Sequence, residues 1–207
     1  MSKEHVEARK RLWYSVYVTD RWCCAVMGRP LAISDSDCDV DLPDMKGANG
    51  EDYDIFVNFV KLSSILGELL RRIYSPKAKA AGYRGAAMEQ TMAHFQRMLT
   101  EWFDQLPDDC RISEEDLIAI KNNPENFAGT KKLDQGGPLT ICYHSVTVLL
   151  NRPFILLENE ASGEGETNYA DASRRCMEAA KLVIDIARLV PSTSTSRFGW
   201  NFAGKQS

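Results

Sequence analysis

The sequence lacks most of the features from which a function is ordinarily read. No apolar run approaches the roughly 20 residues that span a bilayer, which sets a membrane partner aside. The first residues, MSKEHVEARKR, are charged and carry no apolar signal core, so the default location is inside the cell. Lysine and arginine number 25 against 29 aspartates and glutamates, a net charge of −4. There is no basic excess to attract nucleic acid and too little acidity for a disordered acidic tail.

Chemistry-bearing patterns are equally scarce. The three histidines, His5, His94 and His144, have no ligand-type residue at i+3 or i+4 and read as structural or solvated. None of the six cysteines has C-x-x-C spacing, and the adjacent Cys23 and Cys24 point about 100° apart on a helix, so no structural zinc is expected within this chain. Cys24, Cys142 and Cys176 fall on apolar stripes as small buried hydrophobes. Neither Gly-x-Ser-x-Gly nor His-Glu-x-x-His occurs. Gly199 to Gln206 approaches a phosphate-binding loop but has no Ser or Thr after Lys205, no preceding strand and no following helix. With nothing to place two carboxylates in one pocket, the chain reads as not an enzyme, with no catalytic, cofactor-binding or metal residues.

What is present is helix. A hydrophobic content of 44% in 207 residues suffices for a sizeable core, and no segment of strand period or internal repeat interrupts the pattern. Ile55, Phe59, Leu62, Leu66, Leu69 and Ile73 predict a helix over 54–74, ended by Ser75-Pro76. Residues 77–84 read as a small basic loop. Met88, Met92, Phe95, Leu99, Trp102 and Leu106 predict a second helix over 86–106, antiparallel to the first. Ser113 and Asp116 form a capping box for a short helix. Gly136-Gly137-Pro138 launches a helix over 139–151, broken or kinked at Arg152-Pro153 and continued over 154–157. A last helix over 172–190 turns Cys176, Ala179, Ala180, Val183, Ala187 and Val190 inward. Phe198, Trp200 and Phe202 resemble the start of another element and are the expected exposed apolar patch. The fold class is all-α, an irregular multi-helix bundle.

The densest signal lies between Glu7 and Pro43. Residues 3–27 contain no Gly or Pro, and Trp13, Val16, Tyr17, Asp20, Cys24 and Met27 share one face of a helix. Gly28 ends it and Pro30 prevents its resumption. Asp20 is anomalous, since a carboxylate on an apolar face is costly unless paired. Arg29 or Arg152 is the expected cation, in a pair that fixes how the Gly28-Arg29-Pro30 turn docks; the alternative is a solvated Asp20 at the edge of the stripe. Asp35, Asp37, Asp39 and Asp41 imitate a calcium loop, but Val40 stands where glycine is needed and Lys46 where glutamate is needed. Turns and helix caps account better for these acids. Leu42-Pro43 is extended, as a residue before proline should be.

The order of these motifs resembles a known family. Arg9-Lys10-Arg11-Leu12-Trp13, Tyr17-x-x-Asp20-Arg21, Gly28-Arg29-Pro30-Leu31-Ala32-Ile33 and Asp37-x-Asp39-x-x-Leu42-Pro43 resemble the fungal-specific transcription factor domain. This is the middle regulatory region of fungal binuclear zinc-cluster transcription factors, including those similar to xylanolytic activators. The likeness continues through the helix at 62–74, through Leu99-x-x-Trp102-x-x-x-Leu106-Pro107, and through Tyr143-His144 to Leu149-Leu150-Asn151-Arg152-Pro153-Phe154. Asn151 stands where histidine is common. Cys176-x-x-Ala179-Ala180 completes the set.

The resemblance implies one helical regulatory domain over 1–207, incomplete at both ends and part of a larger one. Trp13, Asp20, Arg21, Gly28, Arg29, Pro30, Asp37, Asp39, Pro43, Arg152 and Pro153 are its structural signature. It further implies nuclear localisation and RNA polymerase II transcription, with zinc and DNA bound only through an absent upstream six-cysteine module. The partners implied are the transcription machinery or a small effector, with homodimerisation in the full-length protein. The alternative is a stand-alone helical ligand- or protein-binding scaffold that has lost DNA binding.

Overall fold

The computed structural model describes residues 2–158 and 167–198, which form eight α-helices and no strand. The phosphate-loop near-miss at 199–206, with Trp200 and Phe202, lies outside the described residues. The architecture centres on α2 (Asp54–Ile73), which packs against α1 (Lys3–Met27), α4 (Ala86–Asp104) and α6 (Gly137–Glu158). The reason is its apolar breadth. Ile55, Phe59, Leu62, Leu66, Leu69 and Ile73 are all buried, and Phe56, Val60 and Ile65 widen the stripe beyond one face. Each fully buried leucine contributes about 2–3 kcal/mol. Phe95, Leu99, Trp102 and Leu106 from α4 and Leu139, Val146 and Leu150 from α6 close the same core. Phe198 also joins it, its ring 4.8 Å from that of Phe59, so this member of the expected exposed patch is covered.

Residues 77–84, read as a loop, contain a short helix, α3 (Pro76–Ala81). Ser75-Pro76 both ends α2 and starts α3: the Ser75 hydroxyl accepts from the Ala78 amide, and proline sits in the first turn, where its missing N–H costs nothing. The capping box is present as expected, with Ser113 and Asp116 satisfying each other's amides at the start of α5 (Glu114–Asn122).

Proline 153 does not break its helix; α6 runs through it. A proline at 153 leaves the carbonyl of residue 149 without its helical donor. The Tyr74 hydroxyl supplies one, donating to the Leu149 carbonyl at 2.7 Å. Arg152 lies over the Tyr74 ring at 5.5 Å. The expected break is therefore repaired by a side chain just past the end of α2.

Against α6 lies α7 (Thr167–Leu189), with Ala172, Cys176 and Ala179 buried and Ile186 buried where Ala187 was expected. Ala187 is exposed. A short α8 (Ser192–Arg197) follows. Ile112, Leu117, Ile120, Leu133, Ile186 and Val190 make a second core between α5 and α7.

A single π-helical turn over Lys132–Gly136 feeds α6 and sets two lysines as clamps. Lys131 bonds Asp52, Asp54 and Asp109 at 2.9, 2.7 and 2.9 Å. Lys132 bonds Asp108 and Asp116 at 2.9 and 2.7 Å. Burial alone would lower the Lys131 pKa, but the three carboxylates outweigh it and hold it well above the ordinary lysine value. Lys131 thus ties the start of α2 to the turn after α4. Lys131→Met is expected to cost about 2–3 kcal/mol, somewhat less than for a fully buried pair because the cluster is partly solvated. The shift in urea midpoint at pH 7 measures it, and Lys121→Met at the more exposed Lys121–Asp185 pair provides the comparison, at under about 1 kcal/mol.

Candidate functional site

The stretch from Glu7 to Pro43 folds back on itself. After Gly28, which takes φ +66° as the left-handed cap that favours glycine, the chain reverses and runs along α1 toward its N-terminus. Six α1 side chains strap it down in order. Asp20 accepts from the Ala32 and Ile33 amides at 3.0 and 3.3 Å. Arg21 bonds Asp35 at 2.9 Å, and the Tyr17 hydroxyl donates to the same carboxylate. Tyr14 donates to the Val40 carbonyl at 2.6 Å, and Lys10 to that of Leu42 at 3.4 Å. Glu7 closes the series by accepting from the Asp44 amide at 2.7 Å, and Pro43 is buried beside it.

The centre of the strap is Arg21, which is wholly buried. Its guanidinium donates to Asp20 at 3.0 Å and Asp35 at 2.9 Å, and lies 3.4 Å from the Tyr17 ring centroid. Arg71 of α2 grips the other Asp35 oxygen at 2.6 Å. Burial alone would raise the Asp35 pKa, but the bonds from Tyr17 and Arg71 and the charge of Arg21 outweigh it and hold it below the usual carboxylate range. Burial pushes Tyr17 up, and its bond to Asp35 pushes it further. Gly67 of α2 makes room for all this: a Cβ there would meet Arg21 Cγ and Nε at 3.3 Å. The arginine is pinned by two carboxylates and has little freedom to withdraw.

Asp20 is thus paired, but with Arg21 rather than Arg29 or Arg152. Arg29 is exposed, and Arg152 sits on Tyr74, at the other signature site. Asp20 does fix the segment after the Gly28-Arg29-Pro30 turn, through backbone amides, and Cys24 Sγ contacts the Pro30 carbonyl at 3.2 Å. The expected stripe is also rotated: Val16 and Met27 are 53% and 64% exposed, and Trp13 is half-buried. Asp37 and Asp39 are exposed and outside the cluster; Asp35 carries the acidic segment's role. Of the signature set, the structure joins Asp20 and Arg21 directly, and brings Arg152 and Pro153 together at Tyr74. Tyr17, Asp35, Gly67 and Arg71 were not in the signature set, although Tyr17 stands inside a quoted motif and Asp35 is the first of the alternating aspartates.

The six cysteines are in no disulfide. Among the described residues one group gathers three ligand-type atoms within 4.8 Å, namely Asp54, Asp109 and Cys110. The cation those carboxylates face is Lys131. Burial pushes the Cys110 thiol well above its ordinary pKa, away from the thiolate a metal requires. His144 is pushed down to about 4 by burial beside Tyr143 and Phe103, which keeps it neutral at pH 7. The rings of Phe103 and Tyr143 lie 6.3 and 4.9 Å from its own. The arrangement holds chain segments together.

Arg21→Met leaves two carboxylates facing a buried apolar side chain, and is expected to cost about 3 kcal/mol in denaturant unfolding. Arg29→Gln is expected to stay within about 0.5 kcal/mol of wild type. Because the folded Asp35 pKa lies below its unfolded value of about 3.9, its stabilisation is complete above that pH and is lost as pH falls through the folded value. The stability gap between wild type and Asp35→Asn should therefore narrow between pH 7 and about pH 3, as urea midpoints across that range would show. A constant gap would contradict the assignment.

Comparison with known proteins gives the family. The fungal specific transcription factor domain family matches residues 1–104, half of the chain, including the whole strap. An uncharacterized transcriptional regulatory protein of Schizosaccharomyces pombe is 24% identical over 213 residues, covering 95% of this chain and 24% of that protein. The transcriptional activator protein acu-15 of Neurospora crassa is 26% identical over 206 residues, covering 92% of this chain and 20% of that protein. An ABC-transporter-regulating transcription factor of Aspergillus oryzae is 29% identical over 121 residues, covering 53% of this chain and 13% of that protein. The chain spans about a quarter of the length of the first S. pombe relative. No solved structure matches it. The chain belongs to the fungal specific transcription factor domain family.

Proposed function

We propose that this chain is part of the regulatory region of a fungal zinc-cluster transcription factor acting in the nucleus on RNA polymerase II transcription. It is not an enzyme, and DNA and zinc are bound by a module outside it. The observation that carries this reading is the fate of the motif residues. Tyr17, Asp20 and Arg21, the residues that most resemble chemistry, are consumed in fastening α1, the returning segment and α2 to one another. A region whose distinctive residues are spent on internal geometry acts through its shape, by presenting surfaces to partner proteins of the transcription machinery or to a small effector. In the full-length protein it also supports homodimerisation.

The test is an in-frame deletion of residues 1–207 from the full-length protein in its host fungus. Chromatin occupancy is expected to persist, while transcript levels of the occupied genes change at least about threefold. Loss of sequence-specific DNA binding by the deletion protein, assayed in vitro with zinc present, would place DNA recognition in this segment and refute the proposal. For the isolated chain, added zinc is expected to leave the melting temperature unchanged. A chelator-reversible rise would reveal a site that folding completes.

A further inference from the structure

A groove of about 430 Å³ lies between the strap and α2. That is within the ~300–1,000 Å³ range of small-molecule sites. Trp13, Tyr14 and Leu42 line it together with Val60, Ile65 and Met98. Most of its polar groups are already engaged. The Tyr14 hydroxyl is spent on Val40, the Tyr17 hydroxyl on Asp35, and Asp35 is gripped by two arginines. The remaining charged group on the lining is Lys61, half-buried, with no ion pair or side-chain hydrogen bond among the described residues. An apolar and aromatic cleft with one uncompensated ammonium selects a ligand by two features at once: a flat or branched apolar body and a single negative charge.

We infer that this groove is a binding site for a small amphipathic monoanion, an aromatic or branched organic acid, whose charged group pairs with Lys61 while its body lies against Trp13 and Val60. A dication or an extended polyanion does not fit. Asp35 gives no net attraction for cations because Arg21 and Arg71 neutralise it, and one ammonium cannot hold several phosphates. The location also gives such a ligand a lever. Tyr17 and Asp35 line the groove and belong to the strap's central cluster, so an occupant bears directly on the contact between α1, the returning segment and α2.

The proposal goes beyond the regulatory reading and is measured separately, on the 207-residue chain alone, so either can fail without the other. Two probes of nearly the same shape separate charge from hydrophobicity: 1-anilinonaphthalene-8-sulfonate, a monoanion, and N-phenyl-1-naphthylamine, its neutral counterpart. The anion is expected to bind saturably at one site per chain, followed by probe fluorescence. Lys61→Gln should weaken it about tenfold while changing the neutral probe less than about twofold. Lys61→Arg should restore the anion, and Trp13→Ala should weaken both probes. Far-UV circular dichroism confirms that each variant remains folded, as expected for substitutions at partly solvated positions. Equal effects of Lys61→Gln on the two probes, or no effect on either, would overturn the proposal. So would anion binding that never saturates.

Discussion

The N-terminal half of this structure depends on one buried guanidinium. Arg21 is wholly enclosed, yet it meets a carboxylate on each side, one from its own helix and one from the segment that returns past it. Neither partner alone would suffice. Burying an arginine costs several kcal/mol, and Asp20 must also serve the Ala32 and Ile33 amides while Asp35 serves Tyr17 and Arg71. The result is a set of groups in which each removal strands another. A hydrophobic contact tolerates sliding, whereas this arrangement is satisfied in one register of the strap only. The exposed aspartates at 37 and 39 are free of that constraint.

This explains what was legible in the sequence and what was not. The helices α2 and α4 were read correctly because their contacts are apolar and recur every three or four residues, as Leu62, Leu66 and Leu69 do. The same rule found Tyr17 and Cys24 on the buried side of α1 but missed its polar members. Its inward series is Glu7, Lys10, Tyr14, Tyr17 and Arg21, spaced 3, 4, 3 and 4, as regular as any leucine stripe but polar almost throughout. Hydropathy cannot see such a face, because it scores each residue against water and not against the partner that will meet it. The choice of Arg29 or Arg152 as partner for Asp20 failed for a related reason. Proximity in sequence favoured the turn, but the cation had to come from a position whose stem could be buried, and Gly67 made the room for Arg21.

The helix through Pro153 obeys the same logic at the other end of the chain. Proline was expected to break or kink α6, and the helix runs on through it. The carbonyl it orphans is buried against Tyr74, and one hydroxyl is enough to replace the lost amide. No local reading of residues 139–157 could find that donor, which lies 75 residues away in sequence. The α3 turn was missed through ambiguity instead: Ser-Pro ends one helix and begins another with equal justification.

Both repairs converge on the last turns of α2. Gly67 receives Arg21, Arg71 grips Asp35, and Tyr74 serves Leu149. These positions are spaced 4 and 3 apart, so they fall along one side of the helix and its C-cap, while Leu62, Leu66, Leu69 and Ile73 fill the core. The helix therefore has two jobs on two faces. Its apolar face holds the bundle together by area, which is strong but indifferent to small displacements. Its polar face fixes where the first helix and the sixth must sit, by bonds that fail if either moves by an ångström or two. Fixing the register of the fold requires the second kind of contact. That is why its recognisable residues are an arginine, aspartates and a proline and not the leucines that supply most of its stability.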